Sequence, residues 1–96
     1  MWAGMISGKF GPGKWDAFVK LHKRWHKAHR HQADGMVAEY LVKTDEAGEH
    51  GLHIAIYSNR KAAEKYLSDP ETVAFLKEGM SYCTEYTLAQ GEIIPA

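Results

Sequence analysis

A single cysteine, Cys83, stands in this 96-residue chain. That excludes an internal disulfide and any metal site built from several thiolates of one chain, and leaves the thiol as a small packing residue. No sign of charge dominates, because twelve basic and twelve acidic residues cancel. A global field that would draw nucleic acid or an anionic membrane is therefore missing, and partners must be sought locally. No apolar run approaches the roughly 20 residues of a membrane-spanning helix. Met1-Trp2-Ala3-Gly4 also lacks the basic start of a secretory signal. The expectation is a cytoplasmic protein with neither membrane nor nucleic-acid partners. Repeats, linkers and low-complexity segments are absent as well, and a chain of this length supports one modest core, so residues 1–96 form one domain.

Histidine, by contrast, is abundant: there are six, four of them within Lys14 to His31, KWDAFVKLHKRWHKAHRH. At about 100° per residue this stretch gathers Trp15, Phe18, Val19, Leu21, Trp25 and Ala28 on one face. Asp16, Lys20, Lys23, Arg24, Lys27, Arg30 and His31 fall on the other, the pattern of an amphipathic helix resting on a core. His22 and His29 lie within the apolar stripe and His26 on its flank. A buried imidazole needs a hydrogen-bonding partner, so these positions are the first candidates for chemistry. Gly11-Pro12-Gly13 launches the helix, Pro12 being suited to a first helical position. Ala33-Asp34-Gly35 ends it, with Gly35 as a left-handed cap and Arg30 and His31 near the negative end of the dipole.

Trp2 to Phe10 alternates Trp2, Gly4, Ile6 and Gly8 with Ala3, Met5, Ser7 and Lys9, and reads as a first strand. Met36 to Lys43 alternates Met36, Ala38, Tyr40 and Val42 with Val37, Glu39, Leu41 and Lys43, largely apolar on both sides. The polar segment Thr44 to Gly51, which includes His50, is a hairpin loop. Leu52 to Tyr57 is a third strand with His53 at its middle. Ser58 or Asn59 caps a second helix, Arg60 to Leu67. Ser68-Asp69-Pro70-Glu71 is a restart signal, because proline cannot donate the backbone hydrogen bond and pushes its predecessor out of the helical well. A third helical piece, Pro70 to Glu78, turns Val73 and Leu76 inward and is closed by Gly79. Tyr82 to Leu88, extending toward Ile94, is a fourth strand.

This order predicts a ferredoxin-like β-α-β-β-α-β domain, an antiparallel four-stranded sheet with its helices on one face. Since strand two is apolar on both sides, the uncovered face predicts a homodimer packed sheet to sheet, through Val37 or Leu41 or their neighbours depending on register.

Several segments together resemble a known family. Gly11-Pro12-Gly13-Lys14 entering an aromatic-rich helix, Gly35 opening strand two, Ile56-Tyr57-Ser58-Asn59 ending strand three, and Lys61-Ala62-Ala63-Glu64-Lys65-Tyr66-Leu67-Ser68-Asp69-Pro70-Glu71 look like the antibiotic biosynthesis monooxygenase family. The resemblance implies pairing into a dimeric α+β barrel. It also implies either cofactor-independent oxygenation of polycyclic phenols and quinols or haem degradation. The haem-degrading branch uses an asparagine on strand one with a tryptophan and a histidine on the second helical region. Here Ser7 and Tyr66 stand in those regions and no histidine follows His53, which argues against haem degradation. The family's tryptophan at the end of strand three is replaced by Tyr57.

A cofactor-free oxygenase needs an apolar pocket, a base for the aromatic substrate, and a donor to stabilise the resulting anion. His22 and His53 are the catalytic candidates, imidazole being able to exchange protons near neutrality. Trp25, Phe18, Met5, Tyr57, Tyr66 and His29 are the substrate-binding candidates, around a small aromatic or quinol-type ligand held between helix one and the sheet. Each has a plain structural reading too: an inward histidine can be a satisfied core residue, and Trp15 and Trp25 can be core. The alternative function is a non-catalytic dimeric module that binds a small ligand or haem. No cofactor is expected and no metal. His22 and His26 have the i, i+4 spacing at which two imidazoles share an ion, but Lys23, Arg24 and Trp25 between them supply no further ligand.

Overall fold

The computed structural model of the protein describes residues 1–29 and 34–96. Its elements are β1 (Trp2–Phe10), α1 (Lys14–His29), β2 (Met36–Lys43), β3 (His50–Tyr57), α2 (Arg60–Ser68), α3 (Pro70–Ser81) and β4 (Cys83–Glu92). The strands pair antiparallel in the order β2-β3-β1-β4. This is the ferredoxin-like arrangement, with its second helical region divided in two. No helix among the described residues is long and apolar enough to cross a membrane.

The division falls where proline demands it. Asp69 leaves the helical well (φ −65°, ψ 128°), and its Oδ2 accepts from the backbone N–H groups of Glu71 and Thr72, each at 3.1 Å, with Pro70 following as the first residue of α3. Asn59 Oδ1 likewise caps α2, accepting from Ala62 N at 2.8 Å. Strand β3 begins at His50, so His50 and Gly51 belong to the strand rather than to the hairpin loop expected from their polar context, and two further details differ from the sequence expectation. Pro12 and Gly13 form a turn ahead of α1, which begins at Lys14. Helix α3 runs past Gly79 to Ser81, burying Thr72, Phe75 and Gly79 while Val73 is exposed. A side chain at 79 would press on the Phe18 ring, its Cβ meeting Cε1 at 3.1 Å, so glycine here permits close packing of α1 on α3 rather than ending a helix. The assigned end of α1 at His31, and the roles of Arg30 and His31 beside the dipole, lie outside the described residues. Gly35 has a positive φ of 84°.

Register decides which side chains face the helices. Opposite residues share a face, and β3 buries Gly51, His53, Ala55 and Tyr57. Their partners on β1 are Gly8, Ile6, Gly4 and Trp2. On β2, Leu41 lies opposite His53 and Glu39 opposite Ala55. A bulge between Met36 and Ala38 turns Met36 inward as well, where it packs beside Tyr57 and Tyr66. The outer face of β2 is thus Ala38, Tyr40 and Val42. Val37 is the extra residue of the bulge and Leu41 points toward the helices, so of the register alternatives left open by the sequence it is the neighbours Tyr40 and Val42 that lie on the open face.

The core beneath α1 is aromatic. Phe10, Trp15 and Phe18 form one cluster, with Phe10 edge-on to both partners at 5.1 and 5.0 Å between ring centroids. Leu21, Trp25 and Phe75 form another, Trp25 and Phe75 lying parallel at 4.5 Å. Ala28, placed on the apolar stripe by periodicity, is exposed because the stripe's last turn extends beyond the sheet it rests on.

Candidate functional site

Two features meet on the inner face of the sheet: a histidine–carboxylate cluster under α1, and an apolar cavity under α2 and α3. The cluster is assembled by three elements. One helical turn separates His22 from His26, so both imidazoles leave α1 in one direction. The β2 register aims Glu39 at them, and β3 brings His53 alongside. His26 Nε2 is hydrogen-bonded to Glu39 Oε1. His53 Nε2 lies 3.0 Å from Glu39 Oε2, and His22 Nδ1 lies 3.7 Å from Glu39 Oε1. Despite this proximity, neither His22 Nδ1 nor His53 Nε2 makes an aligned hydrogen bond, and both atoms are fully buried. The side chains of His22 and His53 are 3 % and 6 % exposed, and their rings sit 4.6 Å apart.

Burial alone would push the Glu39 carboxyl up. The imidazoles of His22, His26 and His53 together outweigh it and hold this carboxyl well below the usual carboxylate range. For His22 desolvation dominates and moves the imidazole down, only partly offset by Glu39 and reinforced by His53. His26, half-exposed, moves up through its hydrogen bond to the same carboxylate. The arrangement is an ionised carboxylate inside an arc of imidazoles, of which the most deeply buried is neutral.

The cavity measures about 240 Å³ and opens on one side. Leu67 of α2 and Leu76 and Met80 of α3 roof it, while Ile6, Ala55, Tyr57 and Leu88 line the sheet beneath. The broken cover explains the space, since α2 and α3 meet at Asp69 at an angle and leave the inner side of β4 partly bare. His53 belongs to both features, lining the cavity and touching Glu39 behind it. Burial raises the Tyr57 hydroxyl above its ordinary range, so it stays a protonated donor at neutral pH.

The candidate residues divide accordingly. The structure brings His53 and Tyr57 to the cavity. Met5 contributes from β1, but its side chain lies on the opposite face of the sheet, in the alternate set from Gly4 and Ile6. Among the described residues, aromatic rings fill the region between helix one and the sheet. Phe18 packs on Phe10 and Trp15, and Trp25 donates from Nε1 to the Tyr66 hydroxyl at 2.8 Å. That bond places both Trp25 and Tyr66 in the core. His29 stacks on Trp25 at 3.7 Å, donates from Nδ1 to the Trp25 carbonyl at 3.1 Å, and has Nε2 2.9 Å from Glu71 Oε2, joining α1 to α3 at the surface. His22 lies beneath the helix among Phe18, Phe75 and His53, away from the cavity. Glu39 was not singled out by the sequence, and His26 only by its place on the helix flank and its i, i+4 spacing from His22. The available signal was an acid at position 39 on the same strand face as Leu41.

A ferredoxin-like α+β domain with an apolar cavity on its helix-covered face is the class that fold and site define. No family model matches the sequence, and no curated protein matches it either. Solved structures do. SnoaB, a cofactor-independent oxygenase from Streptomyces nogalater, superimposes with a TM-score of 0.81 at 13% identity, over 99% of this chain and 94% of that one. A crystal structure of an antibiotic biosynthesis monooxygenase gives 0.76 at 14% identity, over 99% and 100% of the two chains. Rv0793 from Mycobacterium tuberculosis gives 0.77 at 14% identity, over 99% and 96%. The fold of this chain is that of antibiotic biosynthesis monooxygenase structures, and at such identities the fold is what is shared.

Proposed function

We propose that the protein is a cofactor-independent monooxygenase acting on a small aromatic or quinol-type substrate in the cavity between α2–α3 and the sheet. The observation that carries this reading is His53: among the described residues lining a largely apolar cavity it is the imidazole, and Glu39 stands behind it. In this scheme His53 takes a proton from the substrate and Tyr57 donates a hydrogen bond to the resulting anion, which reduces dioxygen. One oxygen atom ends as a ring carbonyl and the other leaves as water, so the substrate itself supplies all the electrons. The volume lies just below the roughly 300–1,000 Å³ typical of small-molecule sites, which suits one or two fused rings. The likeness in fold to SnoaB supports the same class of reaction.

Dioxygen uptake over a panel of phenols, naphthols and one- or two-ring quinols, with chelator present and no flavin, tests the proposal. The expected result is turnover by the parent and a loss of about 10²–10⁴-fold in kcat for His53→Ala, the usual worth of a positioned acid–base group. Ligand binding without oxygen uptake would make the chain a binding module instead.

The same reading includes a homodimer built on the open sheet face, where Tyr40, 56 % exposed, Ile54 and Met5 stand in register across β2, β3 and β1. Continuous apolar surface of this kind marks an interface. Sedimentation at micromolar concentration should show a dimer for the parent and a monomer for Tyr40→Asp, which puts a charge at the centre of more than roughly 1,000 Å² of buried surface. A monomeric parent would refute it.

A further inference from the structure

We propose that His22, His26 and Glu39 bind one divalent transition-metal ion of the zinc class, with His53 orienting the carboxylate from behind. This goes beyond the oxygenase reading, and oxygen uptake does not enter its test. One ligand atom from each of the three residues can be chosen so that all lie within 4.8 Å of one another. Donors sharing an ion at bond lengths near 2.0–2.1 Å in tetrahedral geometry stand roughly 3.3 Å apart. The 3.7 Å between His22 Nδ1 and Glu39 Oε1 is close to that spacing and too long for a hydrogen bond.

The strongest indication is His22 itself. Its Nδ1 is buried, directed into the cluster and without a hydrogen-bond partner, and a buried polar atom in that state calls for an explanation such as an ion. A metal would take the lone pair that the protein leaves idle. His53 Nε2 is the second such atom, 3.0 Å from the carboxylate oxygen that faces away from His26. An imidazole on the far oxygen of a ligating carboxylate is the outer-shell partner that metal sites regularly carry.

Ligand chemistry selects the ion. Two imidazoles and one carboxylate suit zinc and its first-row neighbours, whereas calcium and magnesium require oxygen-rich shells. Three protein ligands leave a fourth position. A surface depression lined by His26, Met36, Val37, Ala38 and Glu39 borders the cluster and offers an ion a way in and a water a place to complete the shell. The ligands come from α1 and β2, so the ion would tie the helix to an edge strand of the sheet.

The experiment uses the full chain without an affinity tag, stripped with chelator, and Co(II) and Zn(II) as probes. The parent should take up one equivalent of Co(II) with visible d–d absorption, lose that absorption when Zn(II) displaces it, and melt at a higher temperature with excess Zn(II). His26→Ala removes a half-exposed ligand and should abolish the absorption band, its fold being checked by circular dichroism. His53→Ala, which removes only the outer partner, should weaken Zn(II) affinity by about 10–100-fold. His50→Ala, on the exposed hairpin, should bind as the parent does. Absence of saturable uptake at one equivalent, undiminished uptake by folded His26→Ala, or loss of uptake in His50→Ala would each overturn the proposal.

Discussion

Gly51→Ala should destabilise the protein by about 3 kcal/mol, the upper end of what overpacking a core costs, although it adds one methyl group. The indole of Trp15 lies flat against the backbone at Gly51: a Cβ there would sit 2.2 Å from Cζ3 and 2.6 Å from Cε3. Gly51 pairs with Gly8 on β1, where an added Cβ would meet Cys83 Sγ at 2.8 Å, so the sheet is tightly packed on both sides of this pair. Trp15 cannot swing aside, because Phe10 holds it edge-on at 5.1 Å and Phe18 stacks on it at 5.7 Å. For a domain of this size the loss corresponds to a fall in Tm of roughly 12–24 °C. Thermal unfolding by circular dichroism checks it, and a variant melting within a few degrees of the parent would mean that the aromatic cluster can rearrange.

Phe18→Ala should have an effect as large, about 3–5 kcal/mol, the cost of deleting a buried phenylalanine ring. Phe18 is 2 % exposed and is the common neighbour of Phe10, Trp15 and His22. Gly79 gives it room on the opposite side. Truncation would empty a volume that rigid aromatic neighbours cannot close. The forecast also separates a core role from the substrate-wall role that helix periodicity alone allows. A residue lining a cavity already half open would lose little stability on truncation and would chiefly alter KM. Urea unfolding of Phe18→Ala beside the oxygen-uptake assay distinguishes them: a small change in midpoint with a large change in KM would return Phe18 to the binding site.

The residues show where sequence periodicity suffices and where it does not. Local signals placed the helical break, because Pro70 acts on its own two neighbours and Asp69 caps the helix it begins. They placed β1 and β2 to the residue, since alternation has a period of two and glycine and charged turns bound it. Helical spacing also picked out His22 as an odd inward imidazole. Spacing could not say what His22 faces. That depends on Glu39, 17 residues later in sequence, whose direction was set by the bulge at Val37 and hence by pairing with β3. One extra residue in a strand exchanges its two faces. Alternation alone left open whether Val37 and Leu41 or their neighbours face outward, and pairing with β3 puts Tyr40 and Val42 there.

By itself, then, the sequence determined the succession of elements, the single antiparallel sheet they must form, and an excess of imidazole on the covered side. Each follows from interactions within a few residues or from a repeat along one element. Tertiary structure alone decided that an apolar cavity opens under α2 and α3. It also decided that Trp25 and Tyr66 spend their polar atoms on each other and that three histidines from two elements converge on the carboxylate of a third. The physical reason is packing. Whether an apolar face meets another ring or an empty volume is set by the shapes of both partners and by strand register, and neither is written in the spacing of one segment.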